Sequence, residues 1–91
     1  MSGVETGGCY GLAPGHRLQW EQAQQAWVVL YPEGMVRLND SAAATLRRLD
    51  GNTPLGVVIA DLERAYGESG LEGDVLELVA AALDQGWLTR R

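Results

Sequence analysis

The stretch that decides the fold covers residues 28–51 and reads VVLYPEGMVRLNDSAAATLRRLDG. Two apolar runs flank Pro32-Glu33-Gly34, in which proline suits the first corner of a type I turn and glycine tolerates positive φ. The pattern is typical of a hairpin with a three-residue loop. It predicts two paired antiparallel strands over residues 27–31 and 35–38.

A helix is predicted directly after the second of these strands. Asn39 or Asp40 can accept hydrogen bonds from the free backbone N–H groups at a helix N-terminus. The alanine-rich run that follows ends at Asp50-Gly51, where glycine suits the left-handed position just beyond a helix. The sequence therefore predicts a first helix over about residues 40–49.

The chain upstream of the hairpin divides into two parts. Residues 1–15 contain five glycines and few apolar side chains, and ordering such a segment costs backbone entropy with little burial in return. We expect a flexible N-terminal tail over 1–15 and a folded domain over 16–91. From His16 onward apolar and polar residues alternate, with Leu18 and Trp20 on one face, which is typical of a half-buried strand. This strand completes a predicted three-stranded meander whose first and third strands are its edges.

Two more helices are predicted downstream. Thr53 followed by Pro54 suggests an N-cap with proline at the first helical position, and apolar residues at helical spacing continue until Gly67 ends the helix. A third helix begins within residues 71–74 and stops at Gly86. The predicted fold class is α+β: a three-stranded antiparallel sheet followed by three helices, resembling a winged helix-turn-helix with its sheet at the front.

Length and charge narrow the classes of function. A chain of 91 residues buries roughly 60–65% of its unfolded surface, enough for one small core. The formal net charge is −5 and the seven cations are scattered arginines, which argues against a nucleic-acid partner. No apolar run approaches the ~20 residues of a membrane span, and no signal-peptide pattern is present. We expect a soluble, cytoplasmic protein with no membrane partner.

The residue types needed for catalysis do not cluster. The single histidine, His16, has no third group or metal set around it in the sequence. The single cysteine, Cys9, excludes an intrachain disulfide and has no basic neighbour to activate it. Phosphate-binding loops and the cysteine clusters of iron-sulfur proteins are also missing from the sequence. We therefore predict a protein that is not an enzyme, with no catalytic residue, metal or cofactor.

Two binding functions fit a domain of this shape. A DNA-binding regulator would place the last helix in the major groove, but Asp74, Glu77 and Asp84 would be repelled by phosphates, so this is the alternative. A peptide-binding domain would add an extended ligand to the free edge of strand 35–38. The apolar stripe of the third helix would form the other wall, although such a stripe is first of all typical of a core.

The motifs LYPEGMVRLNDSAA, LRRLDG and the late GWL resemble the PqqD family of pyrroloquinoline quinone (PQQ) biosynthesis over about residues 12–88. The chain departs from that pattern at Leu49, where many relatives have cysteine. The resemblance implies a winged-helix peptide chaperone without a cofactor, which binds the precursor peptide PqqA and presents it to the radical SAM enzyme PqqE. It also implies that the leader peptide adds as a strand between the third strand and the third helix. The implied peptide-binding residues are Met35, Val36, Arg37, Leu38, Val75, Leu78, Val79 and Leu83.

Two further contacts are hypotheses. Glu33, Arg47 and Arg48 are charged residues on predicted exposed surface, and we expect them to contact the partner enzyme. A free edge would also permit a homodimer, either through edge-to-edge pairing or through exchange of the first strand about the polar turn 22–25. The sequence leaves open whether the free edge pairs with a second copy or with a ligand. Three aromatic side chains would suit a dimer interface: Trp20, Trp27 and Tyr31.

Overall fold

The computed structural model of the chain describes residues 3–91. Within this range the elements are, in chain order, β1 Cys9–Leu12, β2 Arg17–Glu21, β3 Ala26–Tyr31, β4 Gly34–Arg37, α1 Asp40–Leu46, β5 Asp50–Pro54, α2 Leu55–Tyr66, α3 Glu72–Asp84 and β6 Leu88–Arg90.

The meander expected from the sequence is present. Strands β2, β3 and β4 form an antiparallel sheet with β3 in the middle. Leu18 and Val36 both lie opposite Val29, so the three side chains point to the same face of the sheet. Val29 belongs to the hydrophobic core, and Leu18 and Val36 pack against that core. This face is therefore covered by the helices, while β2 and β4 form the two edges of the sheet.

The hairpin and the first helix begin close to their predicted positions. Tyr31 pairs with Gly34, so the loop between β3 and β4 has two residues instead of the predicted three. Asn39 is the N-cap of α1, because its Oδ1 accepts a hydrogen bond from the backbone N–H of Ala42 at 2.8 Å. This geometry decides between Asn39 and Asp40, the latter being the first residue of the helix.

The segment after α1 is a strand and not the predicted helix junction. Asp50 Oδ1 accepts the backbone N–H groups of Asn52 and Thr53 at 2.8 and 2.9 Å, which fixes a tight turn. Gly51 has a φ of 81°, left-handed as predicted, but it lies inside β5 and not at the end of α1. The predicted N-cap at Thr53 is wrong, since its hydroxyl donates to Asp50 Oδ2 at 3.1 Å. Helix α2 begins at Leu55.

The prediction of a flexible tail over 1–15 is wrong for most of that segment. Strand β1 lies in the middle of a second antiparallel sheet, in the order β5-β1-β6. Tyr10 on β1 is only 1% exposed, and its hydroxyl accepts a hydrogen bond from the backbone N–H of Glu5 at 3.1 Å. A Cβ atom at Gly11 would lie 3.2 Å from the backbone nitrogen of Gly51. Glycine here permits a close approach of two strands and does not indicate disorder.

The N-terminal segment also completes the start of α2. This helix has no side-chain cap, and its first N–H groups need other acceptors. The carbonyl oxygens of Gly8 and Thr6 accept hydrogen bonds from the N–H groups of Leu55 and Gly56 at 2.9 and 2.8 Å. The rest of the predicted tail, residues 1 and 2, lies outside the described residues.

The α+β class with three helices is thus confirmed. The sequence predicted one sheet, whereas the structure contains two antiparallel sheets of three strands each. The winged helix-turn-helix assignment is not confirmed, because the second sheet joins strands from the start, the middle and the end of the described chain. One hydrophobic core connects both sheets and all three helices, and it includes Tyr10, Val29, Leu46, Val79 and Leu88. No helix within residues 3–91 has the length and apolarity needed to cross a membrane.

Two carboxylates link the stability of the fold to pH. The hydrogen bond from Arg48 Nε, at 2.7 Å, is the main cause that lowers the pKa of Asp61 below its usual value of 3.8. The backbone N–H groups of Asn52 and Thr53 lower the pKa of Asp50 in the same way. A carboxyl group whose pKa is lower in the folded than in the unfolded state stabilises the fold above the unfolded pKa. This stabilisation is lost as the pH falls through the folded pKa.

We therefore expect the midpoint of thermal unfolding to fall as the pH is lowered from about 5 to about 2. In the double variant Asp50→Asn/Asp61→Asn these two groups no longer titrate, so its midpoint should vary less over the same range. Circular dichroism melts of both proteins measure this difference. Parallel pH profiles for the two proteins would show that neither carboxylate contributes to the acid sensitivity.

Candidate peptide-binding site

The outer edge of β4 carries backbone groups that point away from the sheet. Leu38 N–H donates to the carbonyl oxygen of Trp27 at 2.9 Å. In an antiparallel ladder, pairs that exchange hydrogen bonds alternate with pairs that do not. The N–H and C=O groups of Met35 and Arg37 therefore point outward, and no strand within residues 3–91 pairs with this edge. Such an edge can accept an added strand.

A cavity of about 640 Å³ lies between α1 and α3, and Leu62 and Tyr66 of α2 also line it. We call it the α1–α3 groove. A second cavity of about 430 Å³ adjoins it and includes Arg37 and Leu38. Asn39 and Asp40 line both cavities, so they meet at the start of α1. Together they extend from the end of β4 to α3. The α1–α3 groove is lined by Asn39, Asp40, Ser41, Ala42, Ala44, Thr45, Leu62, Tyr66, Glu68, Leu71, Asp74, Val75, Glu77, Leu78 and Ala81.

The four residues predicted on the strand have different environments. Met35 is 44% exposed and Arg37 is also exposed, and both side chains lie on the face of the sheet opposite the core. Val36 is half-buried against the core, and Leu38 is part of it. The side chains of Val36 and Leu38 therefore support β4, while the backbone of Met35 and Arg37 is free for a ligand.

The four residues predicted on α3 also divide into core and groove. Val79 is 0% exposed and Val75 is buried, although Val75 still lines the floor of the groove. Leu78 is half-buried and lines the groove with an accessible side chain. Leu83 is half-buried but lies outside the lining. One side chain of the four, Leu78, thus combines accessibility with a position in the groove.

The structure adds lining residues that the sequence reasoning missed. Tyr66 belongs to the apolar stripe of α2, but it is 57% exposed and lies at the mouth of the groove. Glu68 and Leu71, both in the connection between α2 and α3, line the same cavity. The helical spacing that placed Tyr66 on an apolar face could not show that the core ends one turn earlier, at Leu62.

The residues predicted to contact a partner enzyme have defined surroundings. Glu33 is exposed in the hairpin loop between β3 and β4. Arg47 Cζ lies 4.5 Å from the centre of the Trp27 ring, a cation–π contact. Arg48 Nε donates to Asp61 at 2.7 Å and its Nη1 to the carbonyl oxygen of Ala44 at 2.8 Å. Both arginines thus have intramolecular partners, and Glu33 has none of this kind within the described residues.

Helix α3 is unsuited to a nucleic-acid backbone. From Glu72 to Asp84 it carries four carboxylates and no cation. Phosphate groups would be repelled by this charge, so the structure lends no support to the DNA-binding alternative.

Residues 3–91 also contain no group of three or more His, Cys, Asp or Glu residues arranged to hold a metal ion.

The fold matches that of a solved peptide-recognition domain. The solution NMR structure of the PqqD truncation of Methylobacterium extorquens PqqCD superimposes with a TM-score of 0.83 and 25% sequence identity, covering 98% of this chain and 97% of that chain. That domain is described as a functional, stand-alone recognition element for ribosomally synthesized and post-translationally modified peptides (RiPPs). The chain therefore has the fold of a RiPP recognition element.

Sequence relationships identify the family. The family described as "Coenzyme PQQ synthesis protein D (PqqD)" matches residues 26–88. A relative named PqqA binding protein from Methylococcus capsulatus strain Bath is 51% identical over 77 residues, which are 85% of this chain and 83% of the relative. Another protein of that name, from Azotobacter vinelandii, is 49% identical over 78 residues, which are 85% of each chain. The chain belongs to the PqqD family, which confirms the resemblance noted in the sequence.

Proposed function

We propose that this chain is a non-catalytic peptide chaperone of PQQ biosynthesis, which binds the precursor peptide PqqA and presents it to the radical SAM enzyme PqqE. The observation that carries the proposal is the unpaired edge of β4, whose last residue, Arg37, lines the smaller cavity that shares Asn39 and Asp40 with the α1–α3 groove. The relatives of this chain are named PqqA binding protein. The covalent chemistry belongs to the enzyme. This chain supplies binding and orientation, which raise the effective concentration of the peptide at the enzyme.

In the proposed complex, PqqA extends the β2-β3-β4 sheet by one strand. The outward N–H and C=O groups of Met35 and Arg37 form the new ladder. Alternate side chains of the added strand point toward the helices, where Leu78 offers an apolar contact. The core residues Leu38, Val75 and Val79, with Val36 half-buried against the core, keep β4 and α3 in place. Leu83 is half-buried near the end of α3, outside the groove lining.

Fluorescence anisotropy of labelled synthetic PqqA tests this function. We expect saturable binding of the peptide by this chain and no comparable binding of a double-stranded DNA fragment of similar size. Adding PqqE to the saturated complex should raise the anisotropy again, because a larger assembly rotates more slowly. Absence of peptide binding would contradict the chaperone function. Displacement of the peptide by PqqE, with no larger assembly, would contradict presentation.

The contacts with PqqE are proposed to involve Glu33 and Arg47, with Arg48 contributing the N–H groups of its Nη2. Glu33 follows the end of β3, whereas Arg47 lies over Trp27 near the start of that strand. Four residues of strand separate these points, or roughly 13 Å. The enzyme would therefore contact an extended surface, and the two charges can be tested independently.

Replacing Glu33 with glutamine is expected to weaken the affinity for PqqE by about two- to fivefold, because an exposed ion pair contributes about 0.2–1 kcal/mol. Affinity for PqqA should stay the same, since Glu33 lies outside the groove lining. Arg47→Gln serves as the second, independent variant. Surface plasmon resonance with immobilised PqqE measures both, and unchanged affinity of the Glu33 variant would remove Glu33 from the proposed contact.

The homodimer stays a prediction. Pairing of two copies through β4 would occupy the edge that we assign to PqqA, so peptide binding and this dimer would exclude each other. Pairing through β2 would leave β4 free, and exposed Trp20, whose ring meets the Trp27 ring edge-on at 6.0 Å, lies on that strand. Light scattering with and without PqqA distinguishes these arrangements.

A further inference from the structure

The α1–α3 groove combines an apolar floor with charged side chains that are all negative. Its lining includes four carboxylates and no lysine, arginine or histidine. One carboxylate is at the start of α1, one precedes α3, and two lie on α3 itself: Asp40, Glu68, Asp74 and Glu77. Charge from three separate parts of the chain therefore converges on one cavity.

None of these four carboxylates is neutralised by the protein within residues 3–91. The ion pairs found there join Arg48 and Arg64 to Asp61, and Arg90 to Glu5. Like charges around one concave surface reinforce each other and attract a ligand of opposite charge. The groove is thus complementary to a cation.

The floor of the groove fixes what kind of cation fits. Leu78 and Leu71 are partly buried apolar residues, and Tyr66 presents an exposed aromatic ring at the mouth. Lysine and arginine side chains have long apolar stems that lie on such surfaces while their charged heads remain at the polar rim. An aromatic ring also attracts a cation over its face. A small metal ion would leave the apolar floor without a partner. An acidic segment would leave the carboxylates without one.

The spacing of the carboxylates on α3 suits a single charged head. Asp74 and Glu77 are three residues apart, so their side chains are neighbours on one face of the helix. Leu78 follows four residues after Asp74 and lies beside the pair. A lysine or arginine side chain whose apolar stem lies on Leu78 would therefore place its charged head between the carboxylates of Asp74 and Glu77.

We propose that the α1–α3 groove selects a lysine or arginine of the bound precursor peptide, with the stem on Leu78 and the charged head between Asp74 and Glu77. The proposal rests on the proposed function and adds to it a requirement on the peptide: a basic residue next to the segment that pairs with β4. Tyr66 and Asp40 complete the two ends of this subsite.

The test compares a variant in the groove with a matched variant outside it. The double variant Asp74→Asn/Glu77→Gln removes both charges with little change in shape. Asp84→Asn removes one charge from the same helix, but Asp84 is not part of the groove lining. Asp74 also stands in the first turn of α3, where a negative charge favours the helix. For this reason Glu77→Gln is measured alone as well, and thermal melts confirm that each variant is folded.

Isothermal titration with synthetic PqqA should show affinity lower by about two- to thirtyfold for the double variant, since each of the two exposed pairs contributes about 0.2–1 kcal/mol. The Asp84 variant should bind like the wild type. A second peptide, PqqA with every lysine and arginine replaced by glutamine, should bind the wild type more weakly but bind the wild type and the double variant equally. Raising the salt concentration should weaken binding more for the wild type than for the double variant.

Two failures are distinguishable in this experiment. If PqqA does not bind the wild type, the proposed function falls and the subsite with it. If PqqA binds, but the double variant and the glutamine peptide bind as tightly as the wild-type pair, the peptide-binding function stands and the basic subsite is wrong. If Asp84→Asn lost as much affinity as Glu77→Gln alone, which also removes one charge, the subsite would likewise be overturned, because the loss would reflect net charge and not position.

Discussion

Replacing Tyr10 with alanine lowers the free energy of unfolding by about 3–5 kcal/mol, the usual loss when a large aromatic side chain is removed from a core. Tyr10 is among the largest fully buried side chains and is 1% exposed. It lies on β1, the middle strand of the second sheet, between β5 and β6. Since small domains are stable by only about 5–15 kcal/mol, the variant should lie close to unfolding. Urea denaturation followed by circular dichroism measures the loss.

The matched control is Tyr10→Phe. It keeps the ring and removes only the hydroxyl that accepts the hydrogen bond from Glu5 N–H. A single hydrogen bond contributes about 0.5–1.5 kcal/mol, and here the exposed Glu5 can bond to water instead. The phenylalanine variant should therefore lose about 1 kcal/mol or less. If the alanine variant were as stable as the wild type, residues 3–12 would not belong to the folded domain.

Replacing Arg37 with proline weakens PqqA binding by about tenfold or more. Proline removes the outward N–H of Arg37, and its ring occupies space beside the edge where the peptide backbone would pair. Proline is tolerated on edge strands but not within a sheet, and β4 becomes an inner strand once a peptide is added. The bonds from β4 to β3 are spared, because Leu38 N–H makes the neighbouring contact to Trp27. Anisotropy titration with labelled PqqA measures the change.

The control for this variant is Arg37→Ala, which keeps the backbone N–H and removes the side chain. Its affinity should stay within about fivefold of the wild type, because the Arg37 side chain lies on the outer face of the sheet and offers at most an exposed contact. Equal binding of the proline variant and the wild type would contradict strand addition at β4. A large loss in the alanine variant would show that the side chain, and not the backbone, binds the peptide.

Local signals in the sequence were enough for half of the fold. Asn39, Gly67 and the proline turn between β3 and β4 specify ends of elements through their own backbone preferences, and these features were predicted close to their observed places. The second sheet depends on contacts such as the pairing of Leu12 with Leu88. No local pattern encodes a partner that lies so far along the chain, and β6 has only three residues. The glycine-rich start was therefore interpreted as a tail.

The candidate site was predictable in outline for a different reason. The edge strand and the apolar stripe of α3 follow from periodicity, but periodicity does not distinguish residues that face the core from residues that face a groove. Val75 and Val79 turned out to be buried, whereas Leu78 lies in the groove. The part played by Tyr66 depends on how α1, α2 and α3 pack, which only the structure shows.

Amide hydrogen exchange measured by NMR, with and without PqqA, tests the account most directly. In the free protein, the outward amides of Met35 and Arg37 should exchange rapidly, while the amide of Leu38, bonded to Trp27, is protected. Saturation with PqqA should slow exchange at Met35 and Arg37 and leave Leu38 unchanged. If these two amides kept their rapid exchange in the saturated complex, the peptide would not be adding as a strand to β4, and the proposed mode of binding would be wrong.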